Sequence, residues 1–167
     1  PRRGAIVSEM STQQVRALFD TSALLLGQIV QRMAEVWRAH EADNIQQLLN
    51  QLHDETRQGH TEKFYDLIFQ GLARQHDLIS NSYLMKFYHD LLPALRRSYF
   101  LTLNISRREL DESFALFKLV TDAILNRKAQ QATLFMDDFC RHLRNLVLES
   151  LTRMKQIELA WARRSRR

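Results

Sequence analysis

STQQVRALFDTSALLLGQIVQRMAEVW, residues 11–37, decides the fold class. Ser11 followed three residues later by Gln14 is a capping box, in which each residue satisfies the other's free backbone N–H. Behind it Val15, Leu18, Phe19, Leu25, Ile29, Met33 and Val36–Trp37 recur at three- and four-residue steps, the spacing of one helix face. The pattern predicts a long helix over about 12–39, with Gly27 as a place to bend.

The same periodicity continues outward along the chain. A second helix is expected at about 42–57, with Ile45, Leu48, Leu49 and Leu52 on one side, and Gly59 ends it. Thr61 reads as the cap of a third helix near 62–75 carrying Phe64, Leu67, Ile68 and Leu72, and RQHDLISNS (74–82) reads as a loop. A fourth helix at 82–102 holds Leu84, Phe87, Tyr88, Leu91 and Leu95, with a kink expected at Pro93. Ser106 caps a fifth at 107–127, striped by Leu110, Phe114, Phe117, Val120 and Ile124. The last begins near Ala129 and runs as far as Arg163 on Phe135, Phe139, Leu143, Val147, Leu151, Met154, Ile157 and Trp161. No strand-like alternation follows residue 7, so the expectation is all-α, an antiparallel bundle of six or seven helices with short connections. Several helices are apolar over more than one stripe, and a homodimer interface would cover the second.

Composition narrows the class. Four Gly and two Pro in 167 residues favour helices, and one cysteine excludes an internal disulfide framework and fits a reducing compartment. No run approaches the roughly 18 apolar residues of a membrane span, and no signal-peptide pattern is seen, so a cytoplasmic protein without membrane contact is expected. Of the 24 Lys and Arg, six are Arg2, Arg3, Arg163, Arg164, Arg166 and Arg167, leaving 18 basic against 19 acidic residues. Charge gathered at the two ends reads as solvated, frayed termini, although the first pair also suits a DNA-contacting neighbour.

Signals of catalysis are absent: there is no Gly-rich phosphate loop, H-E-x-x-H, C-x-x-C or nucleophile elbow. The six histidines do not pair at i, i+4, and Cys140 beside the last apolar stripe reads as a buried structural thiol. The chain is not expected to be an enzyme.

Five stretches carry a resemblance. PRRGAIV (1–7) leads into the first helix, FYDLIFQGLA spans 64–73, and SNSYL spans 80–84. LLPALRRSYF spans 91–100 and DAILNRKAQQATLFMDDFCRHL spans 122–143. In order and spacing they resemble GntR-family bacterial transcription regulators of the FadR type. Pro1, Arg3, Gly4 and Val7 are similar to the last strand of a winged helix-turn-helix, which implies that residues 1–10 are the end of a wing plus linker. Residues 11–167 are then a helical effector-binding and dimerisation domain. The resemblance implies a homodimer, a small-molecule effector (an organic acid or acyl compound), and operator DNA bound through an N-terminal winged helix absent from these residues. The alternative is a stand-alone helical module that binds a ligand or partner without touching DNA.

Many members of that family hold a divalent metal with one Asp and three His. Here Asp66 occupies the Asp place, Gln70 the first His place, Phe117 or its neighbour Lys118 the second, and His142 the third. Two donors of four rarely hold a transition metal, so no cofactor is expected, with Asp66 and His142 the residual candidates for a metal. Two further readings stay open: a polar pair hydrogen-bonded to each other or to Gln70, or the polar lining of a metal-free effector pocket. Ser22 and Leu26 stand where the family has an Arg and a Glu, and Arg96 or Arg97 would replace that charge if turned inward. The expected effector pocket is Asp66, Gln70, Tyr88, Arg97, Phe117 and His142. Phe64, Phe69, Tyr88, Phe114, Phe117 and Phe135 either line it or simply fill the core.

Overall fold

The structure, a computed structural model, describes residues 10–167; Pro1, Arg3, Gly4 and Val7, and with them the expected wing strand, lie outside the described residues. Among those described, seven helices follow one another and no strand occurs. They are α1 Thr12–Val36, α2 Ala39–Gln58, α3 Thr61–Ala73, α4 His76–Ile79, α5 Ser82–Phe100, α6 Arg107–Leu125 and α7 Ala129–Ser165. The expected all-α bundle is the architecture found.

Helix starts are set by local chemistry. The Ser11 hydroxyl accepts from the Gln14 N–H at 3.1 Å while the Ser11 N–H donates to the Gln14 side chain at 2.9 Å. Ser106 and Glu109 repeat the motif on α6 at 3.2 and 2.9 Å. Caps of this kind stabilise a helix by about 1 kcal/mol. Gly59 ends α2 at φ +71°, a left-handed position that glycine adopts without steric cost.

α1 runs through the middle, packed on α5, α6 and α7. Its Val15, Phe19, Leu26, Ile29 and Val30 join Met136, Phe139, Leu143 and Val147 of α7 in the core. Gly27 shows why the helices come so close. A Cβ there would sit 3.2 Å from the Thr133 methyl, and the Thr133 hydroxyl donates to the Gly27 carbonyl at 3.1 Å. α1 is one uninterrupted helix through Gly27, which therefore serves as a contact point rather than as a break between helices. Likewise α5 passes unbroken through Pro93.

Three boundaries differ from expectation. α1 stops at Val36 because Trp37 turns extended and its indole N–H donates to the Ile124 carbonyl at 2.8 Å. Arg127 then covers the orphaned end of α1: its guanidinium donates to the carbonyls of Ala34 (3.3 Å), Glu35 (3.2 Å) and Trp37 (2.7 Å) and lies 4.2 Å over the Trp37 ring. A cation there also meets the negative end of the helix dipole. The stretch expected as a loop contains α4, a single turn anchored by buried Ile79 and ended by Ser80 at φ +53°. Finally, α7 keeps its helix to Ser165, but burial ends at Leu151. Met154, Ile157 and Trp161, expected on a buried stripe, are 41%, 58% and 68% exposed.

Candidate functional site

The centre of the bundle is aromatic. Phe69 stacks on Tyr99 with ring centres 5.5 Å apart, Tyr65 lies 5.7 Å from Tyr99, and Phe139 lies 5.5 Å from Phe117 and 6.1 Å from Phe69. Polar tips in this nest are satisfied. The Tyr65 hydroxyl pairs with Ser113 at 2.7 Å, Tyr88 donates to the Phe69 carbonyl at 2.7 Å, and Tyr99 donates to Asp66. Burial pushes the phenols of Tyr65, Tyr88 and Tyr99 well above the usual tyrosine range, and at Tyr99 the hydrogen bond to Asp66 and its charge push further. All three therefore remain hydrogen-bond donors at neutral pH. Burial likewise pushes the Cys140 thiol up to about 12, which leaves it protonated and a poor nucleophile.

The six expected pocket residues take different partners. Asp66 on α3 accepts from Tyr99 and lies 3.4 Å from the Arg96 guanidinium. Gln70 is partly buried one turn further along α3. Tyr88 and Phe117 are core residues, 1% and 2% exposed. His142 sits with Nε2 3.3 Å from the Glu109 carbonyl at the start of α6. Asp66 and His142 thus answer to different partners and not to each other. Arg97 is exposed, as is its neighbour Arg96, which turns to α3 and reaches Asp66 and, at 3.7 Å, Glu62. Adjacent helical positions point about 100° apart, so only one of the two can face α3.

A cleft of about 470 Å³ opens elsewhere, between α2, α3, α4 and α6. Met33, Ile45, Leu72, Phe117 and Ile124 give it an apolar floor, and Asn44, Gln47, Gln51, Arg74 and Gln75 a polar rim. Its size falls in the range of small-molecule sites, as does its mix of apolar wall and few polar groups. The rim carries charge of both signs: Arg74 makes no ion pair among the described residues, while His40 lies 2.6 Å from Glu41. Gly71 forms part of one wall, and a Cβ there would meet only Leu48, at 3.9 Å. Of the expected pocket residues, only Phe117 borders this cleft. The sequence did contain a signal for the rim: Asn44, Gln47 and Gln51 are spaced three and four apart, beside the apolar stripe of α2.

The FCD domain family model matches residues 17–145, from the first turns of α1 to the middle of α7. The chain belongs to the FCD domain family. FCD domains are the C-terminal effector-binding domains of GntR-type transcription regulators and are not enzymes. Among curated proteins, none matches this FCD domain.

The residues that the family resemblance puts at metal positions, Asp66, Gln70, Phe117 and His142, do not fit a metal. Phe117 puts an apolar ring against Phe139, Asp66 is engaged by Tyr99 and Arg96, and His142 faces a backbone carbonyl. Among the described residues no three His, Cys, Asp or Glu side chains gather into a ligand set. No helix described is long and apolar enough to cross a membrane.

Proposed function

We propose that the chain is the effector-binding and dimerisation domain of a cytoplasmic GntR-type regulator of the FadR kind, attached behind a winged helix-turn-helix that reads operator DNA. The effector is a small organic acid or acyl compound held in the α2–α3–α4–α6 cleft. Its apolar body would lie on Phe117, Leu72 and Ile45, with its polar head at Arg74 and the amides of α2. One observation carries this reading: the cleft of an FCD domain is bordered by Met33 of α1, the helix whose other end leads toward the DNA reader. A ligand pressing on Met33 has differential contacts with two positions of α1, which is what a switch requires, typically at 1–3 kcal/mol of coupling.

Gly71 supplies the test. Gly71→Leu places a side chain into the cleft without a backbone clash and should also favour the helix. In a thermal-shift screen of short- and long-chain carboxylates, a true effector at 100 times its Kd stabilises the wild-type domain by about 2.7 kcal/mol. The Gly71→Leu protein should keep its fold and lose that shift. An effector that stabilises both proteins equally does not bind in this cleft. The 167 residues alone should dimerise in sedimentation and show no operator-like, sequence-specific DNA binding.

A further inference from the structure

Past Leu151, α7 projects from the bundle for about 21 Å, taking 1.5 Å per residue over Thr152–Ser165. Every residue of 152–167 is exposed. The segment carries Arg153, Lys155, Arg163, Arg164, Arg166 and Arg167 against Glu158 alone, a formal +5 that equals the net charge of the whole chain. The remaining residues therefore balance to zero. None of the six cations pairs with a carboxylate among the described residues. Far from being a frayed end, Arg153, Lys155, Arg163 and Arg164 are mounted on the helix, and Arg166 and Arg167 follow directly behind its end. At 3.6 residues per turn these four helical cations fall outside the arc of Met154, Ile157 and Trp161, with Arg164 directly beside Ile157.

α7 runs antiparallel to α1: Gly27 meets Thr133, while Phe19 and Asp20 share a groove with Cys140 and Arg144. The basic tail thus protrudes beyond the first turn of α1, on the side where a DNA reader ahead of α1 would be tethered. We infer that this tail is a second, sequence-independent DNA contact, binding the phosphate backbone of duplex DNA beside the site held by the reader. The choice of duplex rests on the regulator reading above; the uncompensated charge does not. A lipid surface suits the tail less well, because Leu159 falls among the basic positions and the apolar strip is only three side chains. A second tail laid alongside in parallel would bring like charges together.

The 167-residue protein is titrated, without effector, into a labelled 20-base-pair duplex of arbitrary sequence at about 50–200 mM KCl, followed by fluorescence anisotropy. Engagement of four to six phosphates predicts a log–log salt slope of about −4 to −5, a loss of affinity of roughly 100- to 1,000-fold over that range. Replacing Arg163, Arg164, Arg166 and Arg167 together by Gln, which keeps helix propensity, should shrink the slope by about 3 to 4 and weaken binding at 50 mM at least tenfold. Trp161→Ala should bind within about twofold of wild type, and circular dichroism should show both variants helical. The inference is overturned by no duplex binding at 50 mM KCl, by an unchanged slope in the quadruple variant, or by a Trp161→Ala loss as large as the quadruple one. Binding to phosphatidylglycerol vesicles with none to duplex overturns it as well. None of these outcomes touches the Gly71→Leu test, so the two readings fail separately.

Discussion

Cys140 gives this bundle a pH dependence whose sign and size both follow from its burial. The thiol is 2% exposed, and burial pushes its pKa from the ordinary 9.0 to about 12. The unfolded chain releases the thiol proton near the ordinary value, while the folded chain keeps it. The folded pKa is thus the higher one, so stability is intact below about pH 9 and is lost as pH rises toward 12. One unit above the ordinary value the unfolded state has gained a factor of about ten, which removes about 1.4 kcal/mol. Cys140→Ala isolates this share. Its lost packing is independent of pH, and the buried tyrosines are common to both proteins, so both cancel in the comparison. Urea unfolding followed by circular dichroism at pH 8, 9 and 10 should show the wild type losing about 1.4 kcal/mol more than Cys140→Ala between pH 8 and 10. Parallel pH curves for the two proteins would refute the reasoning, as would a wild type that loses less.

Three further outcomes follow from particular contacts. Arg127→Ala removes three hydrogen bonds to the end of α1 and the stacking on Trp37, and should cost about 1–2 kcal/mol in thermal unfolding, with faster amide exchange around Trp37. Tyr99→Phe strips Asp66 of its buried donor and should cost about 1–2 kcal/mol in urea, more than Arg96→Ala, whose side chain is half exposed and whose ion pair is screened. Phe117→Ala should cost about 3 kcal/mol, the low end for a buried Phe, because water entering the adjoining cleft limits the cavity left behind. The same variant should shift the cleft's preference toward bulkier ligands in the thermal-shift screen.

Helix class and most boundaries were legible because they depend on local patterns. Ser11–Gln14 and Ser106–Glu109 announce their helices within four residues, and the apolar stripes mark the faces that meet. Long-range contacts left no such trace. That α1 ends at Val36 depends on Ile124 and Arg127, some ninety positions away, and nothing near Trp37 signals it. The exposure of Met154, Ile157 and Trp161 is of the same kind: the stripe continues in sequence, but the neighbour that would bury it does not. For the site, resemblance to a family pattern indicates positions in sequence and not contacts: Asp66 and His142 share that pattern, while each has a partner of its own. The cleft rim carries a weaker signal, because Asn44, Gln47 and Gln51 are exposed and read like an ordinary solvated face of α2.

Phe117 shows why the interior and the cleft have to be considered together. A metal centre needs charged or imidazole donors converging on one point, and it tolerates polar lining only because the ion repays their desolvation. Remove two of four donors, and the remaining polar groups must find other partners or stay costly. Here Asp66 has Tyr99 and Arg96, His142 has the Glu109 carbonyl, and the rings of Phe117 and Phe69 pack on Phe139. That packing leaves a rigid centre with little for a polar ligand to hold. Of the expected pocket residues Phe117 is the one that borders this cleft, and its ring rests on Phe139. Any ligand in the cleft would therefore lean on a residue that also holds the core together. Its binding energy would be coupled to the packing of α6 against α7, and through Met33 to α1.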